Sequence, residues 1–100
     1  MLSGDAGAGM TLDRTMRALA DPTRREILQA LRAGDLTAGE IAKRFPITAA
    51  SVSHHLGVLK AAGLVRAERA GRTIVYSLNE TVFQMVVKEL LDFFGVGGDG

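Results

Sequence analysis

The hydrophobic pattern of this sequence changes its period at Gly63, from the spacing of a helix to the alternation of strands. Before this point, Val52, Leu56 and Leu59 lie on one side of a helix with about 100° between residues. After it, residues 64–78 alternate between two faces, and a glycine in the middle supplies the backbone freedom of a short hairpin turn. A helix that leads directly into a hairpin predicts a mostly α chain with one small β-hairpin.

Two short helices joined by a tight turn precede the hairpin. A T-x-x-E capping box at Thr37 begins the first, and Pro46 ends it. Thr48 caps the second, which we expect to extend from Thr48 to Ala62 and to end at Gly63. Two helices in this arrangement form a helix-turn-helix, and the hairpin that follows is then a wing.

The rest of the chain completes a winged helix-turn-helix with four helices before the hairpin and a fifth after it. The remaining helices are a first that carries Leu12, Met16 and Leu19, a second from Pro22 to Gly34 capped by Asp21, and a fifth from Asn79 to Gly95. We expect residues 1–9 to be a disordered lead-in, 10–94 to be the DNA-binding and dimerisation domain, and 95–100 to be a flexible tail.

Composition limits the class of protein. The chain has 100 residues, of which 47% are apolar and 23% charged, as in a single folded domain. It has no cysteine, which excludes disulfides and thiolate metal sites, and no apolar run approaches the roughly 20 residues of a membrane helix. We therefore expect a cytoplasmic protein. No nucleophile with a paired base and no phosphate-binding loop is present, so an enzyme is not expected.

The net charge of +1 hides an uneven distribution. Residues 48–78 contain four basic residues and one acidic residue, a balance of +3, whereas residues 79–100 contain one basic and four acidic residues, a balance of −3. A basic middle segment beside an acidic end is the asymmetry expected when one surface of a protein meets phosphate groups.

The outer face of the fourth helix carries short side chains with almost no charge. Its residues are Ala50, Ser51, Ser53, His54 and Gly57. A helix that enters a major groove about 12 Å wide benefits from small residues and a few hydrogen-bonding groups. Alanine and serine are also ordinary helix residues, but a glycine inside a helix costs about 1 kcal/mol relative to alanine and indicates a close approach. His55 lies nearer the core side, where packing or a phosphate contact is expected.

The tip of the hairpin is basic. Arg72 lies in the turn with Arg69 and Thr73 beside it, and an arginine there can contact phosphates or enter a minor groove. An ordinary solvated turn is the alternative. The predicted DNA-binding residues are Thr48, Ala50, Ser51, Ser53, His54, His55, Lys60, Arg69, Arg72 and Thr73.

The fifth helix is apolar around too much of its circumference for a surface helix of a small monomer. We expect the same helix of a second copy, together with the first helix, to cover the excess in a two-fold dimer. Burial within the monomer is the alternative. The predicted dimerisation residues are Leu12, Met16, Leu19, Val82, Val86, Leu90, Phe93 and Phe94. The fourth helices of the two copies would then meet half-sites of a palindrome-like operator about 34 Å apart.

Several segments together resemble the ArsR/SmtB family of bacterial winged-helix repressors, over residues 10–94. They are Ala18 to Leu28, Leu36 to Ala42, Ser51 to Leu56, Leu59 to Val65, and Gly71-Arg72 through Tyr76 to Leu78. The run Asn79 to Phe83 and the Leu- and Phe-rich last helix are most similar to the SdpR-type autorepressor branch.

The resemblance implies a repressor of its own or an adjacent operon, released when a membrane or other protein partner sequesters it. It places the DNA-facing positions at Ser51, Ser53, His54, His55 and Arg72. Metal-sensing members carry cysteine ligands in the third helix, where this chain has Glu40 to Ala42, and histidine ligands in the last helix, where it has none. No cofactor and no metal are therefore expected.

Two alternatives remain. One is a metal- or small-molecule-responsive regulator of the same family with a non-standard site. The other is a winged-helix module that binds protein rather than DNA.

Overall fold

A computed structural model describes residues 12–95, so the expectations for residues 1–9 and 96–100 lie outside the described residues. The elements are α1 (12–19), α2 (Pro22–Ala33), β1 (Leu36–Thr37), α3 (Ala38–Arg44), α4 (Ala49–Ala61), β2 (Val65–Ala70), β3 (Thr73–Leu78) and α5 (Glu80–Phe93). The predicted winged helix-turn-helix, with five helices and a small sheet, is confirmed. None of the helices within this range is long and apolar enough to cross a membrane.

The helix boundaries follow from side-chain caps that satisfy the free backbone N–H groups of each first turn. The carboxylate of Asp21 accepts the backbone N–H of Arg24 at 3.0 Å at the start of α2. At the start of α3, Thr37 and Glu40 bond each other's backbone N–H groups, which forms the predicted capping box. The hydroxyl of Thr48 accepts the N–H of Ser51 at 3.0 Å, which fixes the first residue of α4.

The sheet has three antiparallel strands in the order β1-β3-β2, one more than the predicted hairpin. The additional strand is the two-residue β1, in which Leu36 pairs with Tyr76 and Thr37 with Val75. Two residues are too few to show an alternating pattern, and Thr37 also caps α3, so the sequence indicated only the helix start. The pairing joins the base of the wing to the helix-turn-helix.

One apolar core holds these elements together. Its largest fully buried apolar side chains are Ile27, Ile41, Val52, Leu56, Leu59 and Leu64. Three of them, Val52, Leu56 and Leu59, are at most 1% exposed and lie on the inner side of α4. Burying such side chains contributes about 1.5–3 kcal/mol each. The outer side of α4 is therefore held towards solvent.

The first helix packs on the core through its small residues, so the residues predicted for the dimer interface lie on its other sides. Their part in dimerisation stays a prediction. Thr15 and Ala18 are fully buried, whereas Met16 is 44% exposed and Leu12 and Leu19 are partly buried. Small residues on the inner side of α1 allow its backbone to approach the core closely. The larger apolar residues are left near the surface.

Candidate nucleic-acid interface

The outer face of α4, called the reading helix below, presents the predicted small side chains to solvent. Ala50, Ser53, His54 and Gly57 are exposed, and Ser51 is partly buried. A side-chain carbon added at Gly57 would meet nothing within 4 Å, so no packing inside the protein requires a glycine there. The space outside Gly57 is open to an approaching surface. This fits the close approach that its position in the helix predicted.

The two adjacent histidines of the reading helix have different surroundings. His54 is exposed, whereas the side chain of His55 is only 13% exposed. Nδ1 of His55 lies 3.3 Å from an Nη atom of Arg24 and 4.0 Å from the carboxylate of Asp21. Residues adjacent in a helix point about 100° apart, which accounts for the difference. His54 is therefore open to solvent, and His55 is held against the start of α2.

The wing projects a basic, exposed tip. Gly71 has φ +67°, in the left-handed region that favours glycine, and Arg72 beside it is exposed. The hydroxyl of Thr73 donates to the carbonyl of Ala70 at 2.9 Å across the turn, so it braces the tip. Arg69 is also exposed near the end of its strand. The tip thus presents two guanidinium groups on a short, hydrogen-bonded turn.

The wing also carries an exposed apolar residue that the sequence analysis did not select. Ile74 pairs with Arg69 in the hairpin register and is 42% exposed. It belongs to the same face of the hairpin as Tyr76, which packs against the core, but lies further towards the tip. The alternating pattern predicts which face of the hairpin carries Ile74. It does not predict how far along the strand the core extends.

Lys60 lies apart from the other predicted DNA-binding residues. It is exposed near the C-terminal end of the reading helix, roughly 18 Å along the helix axis from Thr48. There it lines a groove of about 410 Å³ together with Arg14 of α1 and Glu89 of α5. The structure therefore groups Lys60 with α1 and α5. Its part in DNA binding stays a prediction.

The predicted dimerisation residues of α5 divide between the inside and the surface of the chain. Val86 is 6% exposed and Val82 packs against the core. Leu90 is partly buried, whereas Phe93 and Phe94 are 75% and 69% exposed. The helical period showed two apolar sides of α5, and the structure shows that the side containing Val82 and Val86 faces the chain's own core.

Exposed apolar residues occur on two sides of α5. Met85 is 59% exposed and lines the groove beside Lys60, about 160° around the helix from Val87. Val87 and Leu91 are 51% and 42% exposed, and Phe94 follows them at helical spacing. Phe94 is among the predicted dimerisation residues, whereas Val87 and Leu91 are not. Lys88 and Asp92, which pair at 2.9 Å, occupy a neighbouring polar side of the helix. We call Val87, Leu91 and Phe94 the α5 apolar face. Phe93 follows Val86 and Leu90 on the neighbouring side and is exposed at the end of the helix.

No group of three or more histidine, cysteine, aspartate or glutamate side chains within residues 12–95 is placed to hold a metal ion. In α3, Glu40 to Ala42 stand where the resemblance implied ligands in other members of the family, and two of these residues have other roles here. Glu40 belongs to the capping box and Ile41 is buried in the core.

Comparison with known proteins identifies the family. A sequence family described as a helix-turn-helix domain matches residues 19–68. The transcriptional repressor SdpR of Bacillus subtilis is 45% identical over 86 residues, which are 86% of this chain and 96% of that protein. An ArsR-like transcriptional regulator from Rhodococcus sp. RHA1 superposes with a TM-score of 0.81 at 32% identity, over 89% of this chain and 83% of that one. This chain belongs to the ArsR/SmtB family.

A second solved structure bears on assembly. The homodimeric winged helix-turn-helix DNA-binding domain from Mycobacterium bovis has a TM-score of 0.75 at 28% identity, over 93% of each chain. The family assignment confirms the predicted winged fold and the predicted class of DNA-binding transcriptional regulator. The matched proteins are named as transcriptional regulators, in agreement with the expectation that this ArsR/SmtB chain is not an enzyme.

Proposed function

We propose that this chain is a homodimeric repressor that binds a palindrome-like operator in the promoter of its own or an adjacent operon. The observation that carries the proposal is the outer face of the reading helix. Its small, nearly uncharged side chains are exposed, while the opposite side of the same helix is fixed in the core. A helix held in this way can enter a major groove without rearranging.

The roles of the DNA-facing residues follow from their placement. Exposed His54 and Ser53 would contact base edges, since both can donate and accept hydrogen bonds. Thr48 and Ser51 at the start of the helix would contact the phosphate backbone. Arg69 and Arg72 at the wing tip would contact phosphates or enter the adjacent minor groove. Contacts to phosphate supply affinity, and contacts to bases supply the sequence preference.

Dimerisation is supported by the α5 apolar face and by the homodimeric relative. A contiguous apolar surface of this kind on a small protein marks an interaction site. Two-fold pairing would present two reading helices to half-sites about one DNA turn apart, roughly 34 Å, so the operator would have matching symmetry. The similarity to SdpR is our reason for proposing that the chain controls its own or an adjacent operon. It is also our reason for proposing that a protein partner releases the repressor.

The test is binding of the purified chain to DNA from its own upstream region, with a shuffled sequence of the same composition as competitor. We expect retention of the upstream fragment, a footprint of two symmetric halves, and affinity that falls steeply with salt. His54→Glu and Arg72→Glu should each abolish the footprint, whereas Arg32→Glu, at an exposed position in the last turn of α2, should leave it unchanged.

A protein-binding module that uses α5 gives the opposite result. It would tolerate both His54→Glu and Arg72→Glu, and it would show no preference for the upstream fragment. Either outcome would overturn the proposed function. Addition of zinc, nickel or cobalt during the titration tests the metal-responsive alternative, which predicts a change in DNA affinity.

A further inference from the structure

Arg24, in the first turn of α2, bridges three helices. Its Nε atom donates to the carbonyl of Ala18 at 2.8 Å, and one Nη atom donates to the carbonyl of Arg17 at 3.1 Å, so the guanidinium closes the C-terminal end of α1. The other Nη atom lies 3.3 Å from Nδ1 of His55 on the reading helix. Each of the three nitrogens of this basic side chain thus has a partner inside the protein, which ties the guanidinium to α1 and to the reading helix.

The contact with Arg24 determines the proton on His55. A guanidinium can only donate hydrogen bonds, so Nδ1 of His55 must accept, and a neutral imidazole that accepts at Nδ1 carries its proton on Nε2. The carboxylate of Asp21, at 4.0 Å from the same Nδ1, is too far to bond it and instead accepts the backbone N–H of Arg24 at 3.0 Å. The exposed His54 is the other ring near this group, with 5.6 Å between ring centroids.

We propose that Arg24 is a positioning residue for DNA binding, which fixes the Nε2–H form of His55 and ties the reading helix to the end of α1. The inference rests on the proposed function. With Nδ1 occupied by Arg24, the remaining polar group of the ring is an N–H donor, which is the group that a phosphate oxygen accepts. Of the two neutral forms of His55, only the one that Arg24 selects can donate from Nε2 to a phosphate oxygen.

The same bonds connect α1, which carries predicted dimerisation residues, to the reading helix. The two carbonyls that Arg24 closes belong to the last turns of α1, which also carries the exposed Met16. A displacement of α1 would move these carbonyls and, with them, the guanidinium that holds His55. Arg24 thus links the position of α1 to the hydrogen bonding of the reading helix.

The matched control is the next residue. Arg25 has the same charge and donates to the carbonyl of Leu19 at 2.7 Å, so it also bonds the end of α1, but it lies on an exposed side of α2 away from His55. Arg25→Gln removes the charge and the bond to α1 without disturbing His55. Arg24→Gln removes the same charge together with the bond to the reading helix, and Arg24→Lys keeps the charge but not the planar set of donors.

The first measurement is nitrogen-15 NMR of the histidine rings in the free protein at pH 8, which reports which ring nitrogen carries the proton. In the wild type and in Arg25→Gln we expect His55 in the Nε2–H form alone. In Arg24→Gln and Arg24→Lys we expect a mixture of both neutral forms. A fixed Nε2–H form in both Arg24 variants would overturn the proposal. The measurement needs no DNA, so it decides the Arg24–His55 bond even where the proposed function fails.

The second measurement is a double-mutant cycle on affinity for the upstream DNA. Arg24→Gln should weaken binding at least about tenfold, or about 1.4 kcal/mol, and Arg25→Gln by less than about threefold. In a His55→Phe background, whose ring offers no nitrogen acceptor to the guanidinium, Arg24→Gln should cause little further loss. Equal losses in both backgrounds, or equal losses for Arg24→Gln and Arg25→Gln, would show that Arg24 contributes only charge or stability. Thermal melts of each variant confirm that it is folded.

Discussion

At the scale of single residues, the structure separates side chains that look equivalent in the sequence. His54 and His55 are neighbours of the same type, yet one is exposed and the other lies against Arg24 and Asp21. The helical period predicted that they diverge. The partner of His55 could not be predicted, because Asp21 and Arg24 reach it only through the packing of α2 on the reading helix.

Asp21 gives a prediction about acid stability. The backbone N–H of Arg24 holds the pKa of Asp21 below its ordinary value of 3.8, with further lowering by His55 and Arg24. A lowered folded-state pKa means that the charged cap stabilises the fold above pH 3.8, and that this contribution is lost as the pH falls through the lower folded value. Asp21→Asn keeps an oxygen that accepts the same N–H but does not titrate.

The measurement is the thermal midpoint of both proteins from pH 7 to pH 2. We expect the wild type to be more stable than Asp21→Asn at pH 7, and the difference to shrink as the pH falls below 3.8 and through the lowered pKa of folded Asp21. The control Asp35→Asn, at an exposed position in the loop after α2, should follow the wild type throughout. A difference between wild type and Asp21→Asn that persists undiminished at pH 2 would refute the role of the charge.

Gly57 gives a prediction in which stability and DNA binding change in opposite directions. Glycine inside a helix is about 1 kcal/mol less favourable than alanine, and the added carbon of Gly57→Ala meets nothing within 4 Å in the protein. We expect the thermal midpoint to rise by about 4–8 °C, since the effect is about 1 kcal/mol in a small domain.

The same methyl group occupies the surface that faces the major groove, so operator affinity should fall about three- to tenfold. Ala50→Gly is the converse control on the same face, with a lower thermal midpoint and no added bulk towards DNA. Unchanged affinity in Gly57→Ala would mean that the groove does not approach Gly57 and that the glycine has no function in the reading helix.

At the scale of elements, the sequence predicted the helices well because their ends are fixed by local chemistry. The caps at Thr37 and Thr48 are hydrogen bonds to residues three positions along the chain, and Gly63 ends α4 with a φ of +79°. Such local interactions can be predicted from the neighbouring residues alone. The strand β1 was missed because its pairing with Tyr76 and Val75 joins residues about forty positions apart. Long-range pairing of a two-residue strand leaves no local pattern.

The wing gives a prediction that separates phosphate contacts from base contacts. If Arg72 neutralises one phosphate in each protomer, Arg72→Gln should reduce the slope of log affinity against log salt by about 2 for the dimer. The loss should be similar for specific and shuffled DNA, because phosphate contacts carry no sequence information. His54→Ala should instead weaken specific binding and leave the salt slope unchanged.

The slope is measured by titration at four salt concentrations, with Arg32→Gln as the control for charge. An unaltered slope in Arg72→Gln would remove the wing tip from the interface.

At the scale of the whole molecule, the sequence predicted an excess of apolar surface on α5 but not which side of the helix carries it. From the helical period alone, Val82 and Val86 could lie on the exposed apolar side as readily as Val87 and Leu91. Only the packing of α5 against the core distinguishes the two pairs. The side that a helix buries within its own chain depends on every other element of the core. The remaining side, the α5 apolar face, is then available to a second copy.

This placement yields a prediction for assembly. Leu91→Glu puts a charge in the centre of the α5 apolar face, and in a two-fold dimer the charge enters the interface twice. Burial of an unpaired carboxylate is unfavourable by several kcal/mol, so we expect a folded monomer where the wild type is a dimer. Val86→Glu would not test the interface, because Val86 lies in the core and its substitution would unfold the chain.

Light scattering after gel filtration gives the mass, and circular dichroism confirms the fold. Thr81→Glu adds the same charge at an exposed position in the first turn of α5, away from the apolar face, and should remain dimeric. The Leu91→Glu monomer should bind the operator far more weakly, because the second reading helix no longer binds at the high effective concentration that the dimer provides. A dimeric Leu91→Glu protein with wild-type affinity would place the interface elsewhere and leave the α5 apolar face to a different partner.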